Sequence, residues 1–447
     1  MADVDPLTTP ETDITTQTIL LHAANHDIPA LKPFLRVPGA ASAQDPETGF
    51  TPLHAAIAAC GPVSEGAAGS EAPAGEPAAA APASGEEKGA GEDASAVEDI
   101  EASAIATVTE LFLSGAIWND LDANGETPGC LAWRLGRKGV YEAVVQAGVR
   151  AEVLLGMMGG YDPLSSGEES EAEEEDTTEP AAEAESQPEA ADGAKETTDT
   201  KAPAPFDPQD PADVNSRDYL ASELTSTSTA LLDSDANAVM MEWETDIMKL
   251  SAALLAPAPG LRVLNIGFGM GIVDRFFSAE TPSTHHIIEA HPGVLATLRE
   301  PDHEFGAKWE AKGEEGRNKV WAGRWQDIAP ALLMGGEMYD AIYFDTFGED
   351  YGALKMFFED YVPGLLAEGG RFGFFNGLGA DRRVCYDVYT RVAEMDLEGV
   401  GMEVQWVEVE VPIEEGLGKE GEGEWEGVKR RYWTLDTYRL PICTFMG

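Results

Sequence analysis

The chain has 447 residues, and its 81 Asp and Glu outnumber 29 Lys and Arg to give a formal net charge of −52. That sign of charge repels nucleic-acid phosphates and anionic lipid, which disfavours direct nucleic-acid binding and membrane association, and it favours encounter with a strongly basic protein. Cys60, Cys130, Cys385 and Cys443 form no C-x-x-C pair and no segment is apolar over the ~18 residues of a membrane span, so a soluble intracellular protein without disulfides or metal is expected.

From the N-terminus, Thr16 to Leu35 reads as helical, and TGFTPLHAAIAAC (Thr48 to Cys60) resembles the opening of an ankyrin repeat. In such repeats Thr and His tie down the start of a helix, and paired alanines permit close packing. A weaker copy, NGETPGCLAWRLG, starts at Asn124. It lies more than two periods of about 33 residues away, the surplus being a Gly/Ala/Pro/Glu insert at about 61–100. Residues 1–161 are therefore expected to be a small ankyrin-like helical domain. Residues 162–211 read as an acidic disordered linker, either simply solvated or a docking strip for basic partners.

Residues 212–447 have the texture of a compact α/β domain. Amphipathic segments at Tyr219 to Leu232 and Asn237 to Leu255 come first. Strands are expected at Arg262 to Ile266, His286 to Glu289, Val320 to Trp325, Tyr339 to Asp345, Gly370 to Asn376, Glu403 to Val411 and Arg431 to Leu440. Helical spacings between strands imply right-handed parallel crossovers, and the strand-rich end implies an antiparallel edge. Seven strands with that ending match the Rossmann-like sheet of a class I methyltransferase.

The most informative stretch is LRVLNIGFGMGIVD, Leu261 to Asp274. An apolar run feeding into Gly267, Gly269 and Gly271 reads as a buried strand whose following turn lets backbone approach a nucleotide-type cofactor. Ile272 stands where a dinucleotide fingerprint places its third glycine, which disfavours an NAD oxidoreductase. Glu289 closes the second strand, where ribose hydroxyls would lie, and Trp325 and Gln326 are candidates to flank an adenine, Trp325 being alternatively a packing anchor. Asp345 ends the fourth strand in the ligand crevice, whereas Asp340, Glu349 and Asp350 read as solvated or capping residues. Upstream, Met240, Trp243, Glu244 and Met248 fall on neighbouring helical faces and on base rates are core residues.

Together, VMMEWETDIM, VLNIGFGMGIVD, IIEAH, GRWQD and YFDTF resemble the guanidinoacetate methyltransferase family and its fungal protein-arginine N5-methyltransferase branch over roughly Val214 to Gly447. The ankyrin-like front module points to the protein-modifying branch. The resemblance implies S-adenosyl-L-methionine as cofactor, with Tyr219, Met240 and Met248 lining it and Gly267, Gly269, Met270, Gly271, Ile272, Val273 and Asp274 around its methionine portion. Glu289, Ala290 and His291 would border the ribose, Trp325 and Gln326 the adenine, and Asp345 the transfer centre. Glu244 and Asp345 inherit the role of gripping a guanidinium. The implied reaction is methylation of the δ nitrogen of arginine in a basic protein, a large-subunit ribosomal protein, by a monomer in cytoplasm and nucleus. The alternatives are a small-molecule guanidino methyltransferase and a noncatalytic acidic adaptor for basic proteins.

Overall fold

The computed structural model describes residues 10–63, 90–158, 216–312, 316–412 and 421–447. The acidic linker and most of the low-complexity insert lie outside them. The insert's expected C-terminal end does not: a helix spans Ala90–Leu113, so regular structure starts within the stretch read as low-complexity.

Ten strands occur among the described residues: β1 (Thr225–Ser226), β2 (Ala230–Leu232), β3 (Ala238–Met241), β4 (Arg262–Ile266), β5 (Thr284–Glu289), β6 (Asn318–Ala322), β7 (Tyr339–Phe344), β8 (Leu366–Phe374), β9 (Met402–Glu410) and β10 (Thr437–Phe445). The last seven form one sheet in the order β6-β5-β4-β7-β8-β10-β9. β4 to β8 are parallel, and β10 enters antiparallel between β8 and β9. The antiparallel strand is thus inserted beside the edge, and the edge itself is β9. β4 and β7 read as near-continuous apolar runs because helices cover both faces.

The strand order reverses between β4 and β7, and at such a switch point the chain leaves neighbouring strands in opposite directions, opening a crevice at their carboxyl ends. Gly267 and Asp345 are the first residues beyond those two ends. Their amides are anchored to the adjacent strands, Gly267 N–H to Ile288 O at 2.9 Å and Asp345 N–H to Ile266 O at 2.8 Å.

Two expectations change upstream of the sheet. Tyr219 to Leu232 and Asn237 to Leu255 are not two amphipathic helices: a helix at Ser216–Ala221 is followed by the antiparallel sheet β1-β2-β3, and the second helix starts only at Thr245. β-branched and turn-forming residues (TSTSTALLDSDAN) override the helical spacing. Consequently Met240, Trp243, Glu244 and Met248 do not share helical faces: Met240 is on β3, Trp243 and Glu244 are in a 3-10 turn (Glu242–Glu244), and Met248 is in the helix.

The N-terminal helices pack against the sheet domain through its Arg383–Gly399 helix. Val384, Val388 and Val392 of that helix are buried in one apolar cluster with Leu53, Ile57, Val108, Leu131, Val140 and Val144. The approach is close, since a Cβ on Gly129 would meet Val384 at 2.4 Å and one on Gly148 would meet Val388 at 2.7 Å. Polar contacts frame the seam. Tyr141 donates its hydroxyl to Asp387, which also accepts from Arg439 Nη1 at 2.6 Å, and Arg391 pairs with Glu142 at 2.6 Å. Within the helical part, Thr51 caps the Pro52–Ala58 helix, and His54 both faces Thr51 (Nδ1 to Oγ1, 2.9 Å) and reaches Glu126 O at 3.0 Å.

A charge placed at Val388 would be buried within this apolar cluster, so Val388→Asp is expected to lower stability by about 3 kcal/mol or more. Urea unfolding checks this, and an unmoved midpoint would mean the two parts are only loosely apposed.

Candidate active site

The crevice at the switch point is a cleft in which apolar and polar side chains converge. Its walls come from four places: the Ser216–Ala221 helix (Tyr219, Leu220), the β3 edge (Val239, Met240), the tips of β4, β5 and β7 (Gly267, Gly269, Glu289, Asp345), and the start of the Trp325–Gly335 helix.

The glycines matter here for contact distance. Gly267 has φ +91° and a Cβ there would lie 1.9 Å from Asp345 O; Gly269 has φ +54° and a Cβ would lie 2.7 Å from Met240 Cε. The two strand tips and β3 thus close on the turn at the positions that lack side chains. Met240 Sδ also receives the Met270 amide at 3.2 Å.

Glu289 is 5% exposed, and each of its carboxylate oxygens accepts a backbone amide, Oε1 from His291 at 2.6 Å and Oε2 from Phe268 at 2.9 Å. Burial raises its pKa, and the amide donors oppose that rise. A carboxylate so fixed retains lone pairs for a diol at the cleft wall.

Trp325 and Gln326 line the cleft, but as the first two residues of a helix, β6 having ended at Ala322. Glu349 binds both: it accepts from Trp325 Nε1 at 2.9 Å, from Gln326 Nε2 at 2.7 Å and from Thr346 Oγ1 at 2.7 Å. Glu349 is therefore neither solvated nor a cap, a correction to its reading from sequence. Asp350 does cap, accepting the Ala353 amide at 3.0 Å, while Asp340 is ion-paired with Arg262 at 2.9 Å. The Trp325 ring is held edge-on by Phe344, Phe357 and Tyr361, so it anchors the wall as much as it faces the cleft.

Several expected site residues lie elsewhere. Asp274 is buried beneath the glycine turn, accepting from Asn265 Nδ2 and contacting His285 Nε2, both at 2.8 Å; Asn265 also reaches Gly267 O at 2.8 Å. It braces the turn from behind and is absent from the cleft lining. His291 accepts the Gly293 amide and contacts Tyr219 O, each at 3.0 Å, which makes it a helix cap that ties down the Ser216–Ala221 segment. Met248, Ile272 and Val273 are buried in the apolar core, and Met270 and Gly271 also fall outside the cleft lining. Tyr219, Ala290, Met240, Gly267, Gly269 and Glu289 line it, joined by Phe347, whose ring meets Tyr219 edge-on at 5.0 Å.

Two carboxylates lie at this wall, the half-buried Asp345 in the cleft lining and the buried Glu244 outside it. Asp345 Oδ2 is buried without a hydrogen-bond partner, and burial pushes this carboxyl up to about 7. Glu244, 5% exposed, is pushed up to about 8 by burial and by the charge of Asp345, against the opposing donors Tyr432 and the Met241 amide. The charge of Asp345 is felt at Glu244, and a cation brought beside either carboxylate would favour its ionised form.

A raised carboxyl pKa in the folded state means that the native chain holds protons the unfolded chain has released, so stability falls as pH rises from the unfolded values near 4 through about 7 and 8. Glu244→Gln and Asp345→Asn are expected each to raise Tm at pH 8.5, on the order of 5 °C, and to change it little at pH 5. Calorimetry across that range checks the sign. A Tm gain independent of pH would show that neither group carries a buried charge.

The sheet order, the glycine turn at its switch point and the acid at the tip of β5 define a Rossmann-like S-adenosyl-L-methionine-dependent methyltransferase. The residues present fit that donor: the glycines leave room at the turn, Glu289 offers lone pairs to the ribose, and the buried, unpartnered Gln326 Oε1 fits an amino donor on the base. Residues 220–400 match the family model described as guanidinoacetate N-methyltransferase. Protein arginine N-methyltransferase 2 of Gibberella zeae is 50% identical over 422 residues, covering 94% of this chain and 90% of the relative. The protein of the same name from Neurospora crassa is 48% identical over 442 residues, covering 96% of each. Among solved structures, the O-methyltransferase TomG from Streptomyces achromogenes, in complex with SAM, aligns at 16% identity and a TM-score of 0.31 over 45% of this chain and 80% of its own. The chain belongs to the protein arginine N-methyltransferase 2 family.

Proposed function

We propose that the protein transfers a methyl group to the δ nitrogen (N5) of an arginine in a basic protein, a ribosomal protein of the large subunit. The observation that carries this reading is the pair of carboxylates at the cleft, Asp345 in its lining and the buried Glu244 outside it, both with raised pKa values. Tyr219, Met240, Gly267, Gly269, Glu289, Ala290, Trp325 and Gln326 hold the donor, which when bound supplies an electrophilic methyl group.

The chain's own residues deal with the acceptor. A free guanidinium has a pKa above about 12 and no available lone pair, so it is a poor nucleophile. Glu244 and Asp345 bind its N–H groups from different sides and localise its charge, which also restores both carboxylates to their ionised form. Asp345, at the crevice, takes the proton that the δ nitrogen releases as its new bond to carbon forms. Fixed placement of the acceptor contributes the rest, up to ~7 to 11 kcal/mol in well-oriented systems. The charge of −52 draws basic acceptors to the enzyme, and the helical module, read as a degenerate ankyrin pair, presents a surface for a protein partner.

Tritiated donor offered separately with large-subunit ribosomal proteins and with guanidinoacetate tests the reading. Label is expected in a basic protein; label appearing only in guanidinoacetate would transfer the assignment to a small-molecule enzyme.

A further inference from the structure

A hydrogen-bonded chain of two aromatic residues ends on Glu244. Trp243 Nε1 donates to the Tyr432 hydroxyl at 3.0 Å, and Tyr432 donates to Glu244 Oε1. The other oxygen, Oε2, receives only a long contact from the Met241 amide, 3.4 Å. Rings close around the phenol: Trp425 meets Tyr432 edge-on at 5.0 Å, and Trp433 lies 5.7 Å from Trp243. Trp425 and Trp433 are completely buried, so the phenol cannot swing away without unpacking the core. The loop before β10 is thereby fastened to the turn after β3 through the Tyr432 hydroxyl, which bonds both Trp243 and Glu244. The other titratable groups felt at Glu244 are Asp345 and Tyr343 at β7 and Tyr438 on β10; Arg431 stacks over Trp425 at 5.9 Å with its Nε on Trp433 O.

We infer that Tyr432, braced by Trp243, is a positioning residue for methyl transfer: it holds Glu244 in one orientation, leaves Oε2 for the guanidinium, and stabilises the ionised carboxylate against the charge of Asp345. The inference rests on the reading of Glu244 and Asp345 as the guanidinium clamp. A residue that merely filled space there would be replaced by phenylalanine at no electrostatic cost. A donor to a buried carboxylate would not, because removing it leaves the charged form short of one hydrogen bond that it needs most where Asp345 is also ionised.

The test compares wild type, Tyr432→Phe, Glu244→Gln and the double variant by thermal unfolding between pH 6 and pH 9.5. Initial rates of tritium transfer from labelled donor to large-subunit ribosomal proteins are measured over the same range. The Tm gap between wild type and Tyr432→Phe is expected to widen as pH rises above about 7 and to lose that slope in the Glu244→Gln background. Transfer by Tyr432→Phe is expected to fall at least about tenfold at pH 7, with its acid limb moved about one pH unit higher. Trp243→Phe is expected to move the same limb less, and it carries the slope test if Tyr432→Phe does not fold. A Tm offset equal at every pH and unchanged in the Glu244→Gln background would overturn the inference and leave Tyr432 as packing. Full transfer by Glu244→Gln would remove the clamp itself, and the inference with it; loss of transfer in Glu244→Gln without the pH-dependent coupling would remove the inference alone.

Discussion

Asp345→Asn is expected to lower kcat by about 10³-fold or more while changing donor affinity only a few-fold. The asparagine keeps the shape of the β7 tip and its anchoring amide bond to Ile266, so the cleft wall stays in place. What it loses is the capacity to ionise and to take a proton. Asp345 Oδ2 is buried with no other partner, so no neighbour can assume that task. Glu244→Gln should cost a comparable factor, and the double variant should cost little more than either alone, since two residues acting on one guanidinium act as a unit. Single-turnover transfer rates with donor binding measured in parallel separate the two effects. Full activity in Asp345→Asn would exclude it from the reaction.

Gly267→Ala is expected to weaken donor binding by about 100-fold or more, the largest effect anticipated for a single methyl group in this chain. The added carbon would stand 1.9 Å from Asp345 O at a φ of +91°, so either the β4 turn or the β7 tip must move. Both movements open the cleft, and the second also displaces the Asp345 carboxylate. Gly269→Ala makes a useful contrast: its added carbon meets the flexible end of Met240 at 2.7 Å, which can swing aside, so the loss should be nearer tenfold. Titration calorimetry with the donor distinguishes them. Equal and small losses at both positions would mean that the turn does not shape the cofactor site.

Those glycines and the strand-tip acids were legible in the sequence because each is local: an apolar run, a turn that needs positive φ, and an acid at the next strand end. The parallel strands β4 to β8 lie where their apolar runs place them, although β6 ends at Ala322 and Trp325 opens a helix instead of closing a strand. The misreadings arise where spacing over a few residues competes with tertiary pairing. TSTSTALLDSDAN, a polar run followed by a three-residue apolar stretch and a turn-forming tail, shows neither period clearly, and the pairing of β2 with β3 decides it. Asp274 sits in the motif yet turns inward, because Asn265 and His285 offer it partners beneath the turn. Glu349 and Tyr432 could not be read as site residues at all. Their meaning comes from Trp325, Gln326 and Thr346 in one case and from Glu244, 188 positions away, in the other. The only local signal was the cluster of aromatics over residues 425–433, which reads equally well as ordinary core.

We propose that Asp345 in the wall of the donor cleft and the buried Glu244 together present an arginine δ nitrogen for methylation. The most direct measurement is fragmentation mass spectrometry of the arginine labelled by the wild-type enzyme on large-subunit ribosomal proteins, alongside Glu244→Gln and Asp345→Asn. The account predicts fragments that keep the methyl on the δ nitrogen in wild type and no methylated arginine with either variant. Methyl carried on a terminal guanidine nitrogen, or wild-type product from either variant, would contradict it.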